Sequence, residues 1–81
     1  MWNPLSEPQR AKLDNDFSYH KPFGIQAEKY EEIRKLAKAF AEAILGLCPP
    51  SREASLAMTN IEQAVFWANA SIARNEKEEE K

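Results

Sequence analysis

Residues 52 to 74 read REASLAMTNIEQAVFWANASIAR, and the spacing of their apolar side chains decides the fold. Ala54, Met58, Ile61, Val65, Ala68 and Ile72 recur at alternating intervals of four and three, the seam of a helix packed on one partner. At about 100° per residue, Leu56 and Trp67 fall nearly opposite that seam and Phe66 falls to one side. The stretch therefore predicts one long helix with apolar side chains on more than one face. Each face needs a cover.

Working outward, Ser51 is a good N-cap for this helix, which is expected to end near Asn75. Before it, Gly46 and the Cys48-Pro49-Pro50 run stop a first long helix over residues 26 to 47. Its seam is Tyr30, Ile33, Ala37, Phe40, Ile44 and Leu47. Residues 14 to 24, DNDFSYHKPFG, read as a loop, and Lys21 before Pro22 is biased toward extended geometry. Asn3 before Pro4 is expected to cap a short helix over about residues 4 to 13. Residues 76 to 81, EKEEEK, read as a solvated charge run. The fold class is all-α: one helical-hairpin domain over residues 1 to 81, in which the tight turn returns two long helices antiparallel.

The two seams can cover each other and nothing else. A hairpin alone leaves most of its apolar surface wet, against roughly 1–2 kcal/mol of backbone entropy per ordered residue. The expected answer is a compact homo-oligomer that buries Leu56, Phe66 and Trp67 between copies, with Ala64, Ala68, Ala70 and Ala73 permitting close approach.

Bulk properties narrow the function. Eleven basic and thirteen acidic side chains give the 81-residue chain a net charge of −2. That is a poor basis for binding DNA or RNA polymers, which rests on many cation–phosphate contacts, although a few cations can hold a small anion. One cysteine, Cys48, excludes an internal disulfide and fits a reducing cytosol. The first residues lack a basic region followed by an apolar run, and no apolar run approaches the ~20 residues that cross a bilayer. A cytoplasmic protein without membrane attachment is expected.

Candidate chemistry is sparse. With one histidine, one cysteine and no carboxylate cluster at ligand spacing, no metal site is expected. A Cys48–His20 nucleophilic pair is weaker than the reading of Cys48 as a small apolar side chain at a helix end. With only Gly24 and Gly46, there is no phosphate-cradling loop, and no cofactor is expected. The loop FSYHKPF, residues 17 to 23, gathers Phe17, Tyr19, His20, Lys21 and Phe23. Its rings can stack on nucleobases and its cation can meet phosphate; alternatively, Phe17 and Phe23 anchor the loop and Tyr19 fills a gap. Lys29, Arg34, Lys35 and Lys38 interleave with Glu28, Glu31 and Glu32, and surface pairs such as Glu31 with Lys35 are the ordinary reading. Arg34 flanks the seam by about 100°, which suits a fork-shaped phosphate contact. Arg74 shares a face with Trp67, near Asn60 and Gln63, as in a subunit interface or a pocket at one. Its alternative role is to complement the helix dipole.

Three segments together carry a resemblance: FSYHKP, then YEEIRKLAKAFAEAI, then CPPSREASLAMTNIEQAVFWANASIARN. Over about residues 17 to 75 the chain resembles the small phage anti-CBASS cyclic-oligonucleotide sponges, whose helical hairpin is shared with the anti-Thoeris sponges. The most specific part is SREASLA followed in order by FWANASIAR. The resemblance implies a non-enzymatic homohexamer in the host bacterial cytoplasm. Such a protein binds cyclic dinucleotides, such as cyclic GMP–AMP, between protomers and cyclic trinucleotides at a second class of site, so that effectors stay off. It implies that Tyr19 stacks on a purine, that Arg34 meets phosphate with Lys35 and Lys29 as further candidates, and that His20 shapes the pocket mouth. Arg74, with Asn69 beside it, is implied for the trinucleotide.

Three other classes compete. A helical protein–protein interaction module would dock through Leu56 and Trp67 and ignore Tyr19 and Arg34. A DNA-packaging or transcription accessory would need a basic recognition helix, which this chain lacks. A phosphodiesterase would need a metal, for which a single histidine offers no ligand set.

Overall fold

In the computed structural model, which describes residues 2 to 78, three helices follow in order: α1 (Glu7–Asp16), α2 (Gln26–Leu47) and α3 (Arg52–Asn75). The described residues contain no strand. Part of the expected charge run, residues 79 to 81, lies outside the described residues.

The chemistry of the hairpin turn is local. Cys48 donates its backbone N–H to the Ile44 carbonyl at 2.9 Å and is itself extended, as a residue before proline prefers. The Ser51 hydroxyl accepts from the Ala54 amide and donates to the Pro49 carbonyl, each at 3.1 Å. One side chain thus starts α3 and stiffens the turn. At the other end of the hairpin, Gln26 and Lys29 of α2 meet Glu76 just past α3. The long helices are therefore antiparallel.

The short helix differs from its sequence reading. It begins at Glu7, capped by Ser6, whose hydroxyl accepts from the Gln9 amide while the Gln9 side chain accepts from the Ser6 amide. This reciprocal capping box was visible as Ser-x-x-Gln. A start at Pro4 would place Pro8 where the helix needs its missing N–H to bond back to Pro4. From Glu7, Pro8 sits in the first turn, where no such bond is required. The helix runs on to Asp16, supported by a 2.6 Å Lys12–Asp16 pair one turn apart.

Half-burial of Ala54, Met58, Ile61, Val65, Ala68 and Ile72 confirms the α3 seam. On α2 the half-buried stripe is Tyr30, Ile33, Ala37, Ala41 and Ile44. Phe40 and Leu47, expected in that seam, remain exposed. Ala41 lies about 100° round from Phe40, so α2 turns small residues toward α3. The larger Leu36 and Phe40 are left on the shoulder, where with Ala57, Ile61 and Ala64 they line an open apolar hollow.

α2 and α3 pack together, whereas α1 packs along neither. The Cα trace measures 50 × 45 × 14 Å. Two packed helices are only about 20 Å across, so α1 and the residues leading into it supply the second long dimension. Among the described residues no apolar side chain is buried. Leu56, Phe66 and Trp67 are all exposed, Trp67 at 68%. A single chain leaves its second face bare.

Candidate functional site

The loop between α1 and α2, residues 17 to 25, carries the densest set of recognition chemistry, and both of its ends are pinned. At its end, Gly24 has φ +55 and Ile25 has φ −96, ψ 17, the angles of a turn with a positive φ at its first central residue. Gly24 supplies that angle without a Cβ penalty. The Gln26 amide donates to the Phe23 carbonyl at 3.0 Å, and the Gln26 side-chain oxygen accepts from the Phe23 amide at 3.2 Å. Gln26 Nε2 then donates to Glu76 Oε1 at 3.1 Å, and Lys29 Nζ donates to Glu76 Oε2. Gln26, 3% exposed, is the buried residue of the described chain.

The start of the loop is held by the last turn of α3. Asn15 Nδ2 donates to the Arg74 carbonyl at 3.0 Å, satisfying one of the orphan acceptors at the end of α3. Arg74 Nη2 donates to the Asp16 carbonyl at 3.4 Å, and its Nε lies 3.7 Å from the Asp16 carboxylate. His20 Nε2 donates to the Asn15 carbonyl at 2.6 Å. A carbonyl only accepts, so the Nε2 proton is fixed and Nδ1 is left for other partners.

Two carboxylates are electrostatically tuned by these contacts. The hydrogen bond from Lys29, then that from Gln26, holds the Glu76 carboxyl below the usual glutamate range. The hydrogen bond from Lys12 does the same for Asp16, with the Lys12 and Arg74 charges adding to it. Both groups are therefore anionic at neutral pH and keep their cations engaged.

The sequence-predicted residues thus fall into distinct situations. Tyr19 is 86% exposed and Phe17 is 83% exposed, whereas Phe23 is half-buried. Phe23 anchors the loop; Tyr19 and Phe17 do not. Arg34 and Lys35 are exposed on α2, and neither forms an ion pair with another described residue. The expected Glu31–Lys35 pair is absent from the described residues. Lys29 is paired with Glu76, and Arg74 with Asp16. The Asn69 side-chain oxygen is shielded and has no donor among the described residues. Exposed Trp67 and Phe66 line a shallow hollow with Gln63, Ala70 and Arg74. Neither Tyr19 nor Arg34 lines a main hollow of the single chain.

Sequence reasoning missed the pinning residues. Asn15 and Asp16 read as loop punctuation, and Glu76 as the start of a solvated tail. The Ser-x-x-Gln box was the available signal for moving α1 onward, which would have placed Asn15 and Asp16 at a helix end. Nothing in the local sequence marks the pairing of Gln26 with Glu76, fifty residues away.

The architecture is that of a small helical hairpin with a pinned aromatic loop before it, and no group of three His, Cys, Asp or Glu is placed to hold a metal among the described residues. No described helix is long and apolar enough to cross a membrane. The family described as Acb2/Tad1, hairpin domain, matches residues 9–73, and the chain belongs to it. This is the anti-CBASS and anti-Thoeris sponge family, which implies binding rather than catalysis. No curated protein and no solved structure matches the chain.

Proposed function

We propose that this chain binds and sequesters cyclic di- and trinucleotide second messengers, such as cyclic GMP–AMP, without cleaving them, and so keeps CBASS effectors from being activated in the host bacterial cytoplasm. The observation that carries the reading is the exposed Tyr19 ring on a loop pinned at both ends. A ring held out in water is prepared to stack on a base, at about 1–3 kcal/mol per base. Family membership supports the ligand class.

The binding unit is a homohexamer with dinucleotide pockets between protomers. The bare Leu56, Phe66 and Trp67 face supports assembly, since covering each such side chain contributes about 1.5–3 kcal/mol. A pocket made by two copies offers Tyr19 and Arg34 twice, matching a ring-shaped dianion of approximate two-fold symmetry. Arg34 is the first phosphate contact and Lys35 the next; Lys29 contributes only by leaving Glu76. His20 shapes the pocket mouth. Arg74 serves the trinucleotide, with Asn69, whose unpartnered oxygen is suited to a ligand donor.

The mechanism is mass action. The sponge must hold the messenger more tightly than the effector does, and a nanomolar Kd corresponds to roughly −12 kcal/mol. Two stacked bases and two charge-assisted phosphate contacts in a preformed pocket can reach that value. Isothermal titration against a panel of cyclic di- and trinucleotides tests the binding, and recovery of intact ligand after heating separates storage from hydrolysis. Silence across the whole panel would remove the reading.

The exposed Trp67 and Leu56 also favour a second reading, a helical protein–protein interaction module. It is distinguished by a partner whose capture is indifferent to Tyr19 and Arg34.

A further inference from the structure

A chain with no buried apolar side chain among its described residues nevertheless buries a glutamine, and that glutamine is doubly occupied. Burying an amide is unfavourable unless its polar atoms are matched. Gln26 meets the condition with Phe23 on one side and Glu76 on the other. Lys29 adds a second donor to the same carboxylate. Two residues earlier on α3, Arg74 grips Asn15 and Asp16, just before the loop begins. The end of α3 therefore touches both ends of the loop that carries Tyr19.

We infer that the end of α3 is a clasp that positions the Tyr19 loop for ligand, with Glu76 and Gln26 as its positioning residues and Lys29 as a member of the clasp rather than a phosphate contact. The inference rests on the reading that this loop takes the messenger. Glu76 acts on Tyr19 only through Gln26 and the Phe23 amide, so it has no contact with ligand in this scheme. Its effect is on how often the loop is binding-competent. For a loop that is competent only a fraction of the time, the apparent Kd rises by the reciprocal of that fraction.

This predicts a correlation that direct contact does not. Removing Glu76 should strip the Phe23 amide of its protection in the free protein and, by leaving the loop competent only about a tenth of the time, raise the cyclic GMP–AMP Kd on the order of tenfold. Exchange in the middle of α2 and α3 should not change. Glu76→Gln keeps an acceptor for Gln26 and loses the charge facing Lys29, so it should fall between wild type and Glu76→Ala. Lys29→Met should raise Phe23 exchange and Kd together.

Amide exchange by NMR on the full chain, with and without cyclic GMP–AMP, and titration of the same samples make the test. Protected Phe23 in wild type, with exchange and Kd rising together in Glu76→Ala and Lys29→Met, supports the clasp. Unchanged Phe23 exchange in both variants overturns it. Complete loss of Phe23 protection with unchanged Kd overturns it too, since the loop then needs no positioning. A loss of affinity in Lys29→Met without a change in exchange makes Lys29 a ligand contact and removes it from the clasp. Wild-type protein that takes up no cyclic dinucleotide ends the sponge reading, while Phe23 exchange still decides whether the clasp exists.

Discussion

Asn15 and Arg74, separated by 59 positions in sequence, are joined where the Asn15 amide donates to the Arg74 carbonyl at 3.0 Å. This bond ties the end of a laterally projecting helix to the last turn of the hairpin. Because α1 packs along neither long helix, such end contacts set its direction. Asn15→Ala should loosen α1 while leaving the hairpin intact, at about 0.5–1.5 kcal/mol for a neutral hydrogen bond. Faster amide exchange confined to α1 and the following loop is the expected signature; uniform loosening of all three helices would contradict it.

Tyr19→Ala should abolish dinucleotide binding without disturbing assembly, because an 86% exposed ring contributes little to packing. Loss of stacking on two bases, at about 1–3 kcal/mol each, predicts a weakening of about thirtyfold or far more. Trinucleotide affinity should remain. Titration and sedimentation on one preparation check both, and joint loss of the two ligands would merge the proposed site classes.

Assembly should depend on the bare face of α3. Wild-type chains should sediment as an oligomer whose thermal midpoint rises with protein concentration, as required when association and folding are linked. Trp67→Glu places a charge on that face and should shift the population toward dissociated, less stable chains. A monodisperse wild-type monomer of ordinary stability would refute the assembly.

The clasp should be insensitive to pH through the neutral range and release in acid. The Glu76 carboxyl is held below its ordinary value of 4.5 by its bonds from Lys29 and Gln26. A group with a depressed folded pKa stabilises the fold above its unfolded pKa, and that contribution disappears as pH falls through the folded one. Phe23 protection should therefore stay flat from neutrality down to the ordinary glutamate range and decline below it. Asp16, depressed below 3.8 by Lys12, should release α1 in a similarly acidic range. In Glu76→Gln the acid-dependent change at Phe23 should vanish; its persistence would assign the titration to another group.

Ser6→Ala removes half of the capping box and should lower the helicity of α1 by about 1 kcal/mol of capping energy. Circular dichroism and exchange of the Gln9 amide measure it. Asn3→Ala, on the cap expected from Pro4, should change nothing.

The hairpin was legible because its signals are local and redundant. Ser51 caps α3, Pro49 and Pro50 stop α2, and the α3 seam repeats over six positions. Phe40 and Leu47 were misplaced because a three-four alternation describes a seam only approximately, and a one-step rotation exchanges a large side chain for Ala41. The structure leaves Tyr19, Arg34 and Lys35 exposed, as a ligand contact requires. What was hidden is the pairing of distant ends: Gln26 with Glu76, Asn15 with Arg74. Polar contacts between remote segments carry no periodicity, and a lone glutamate at a helix end looks the same whether it is solvated or gripped.

The Cα trace is only 14 Å deep against 50 and 45 Å in its other two directions. Such a slab has a front and a back but no middle. Replacing a nonpolar side chain on its broad sides alters a boundary with another molecule before it alters an interior. An exhaustive substitution survey would accordingly test the proposed assembly and ligand directly, since intolerance on the broad sides would mark surfaces that other molecules cover.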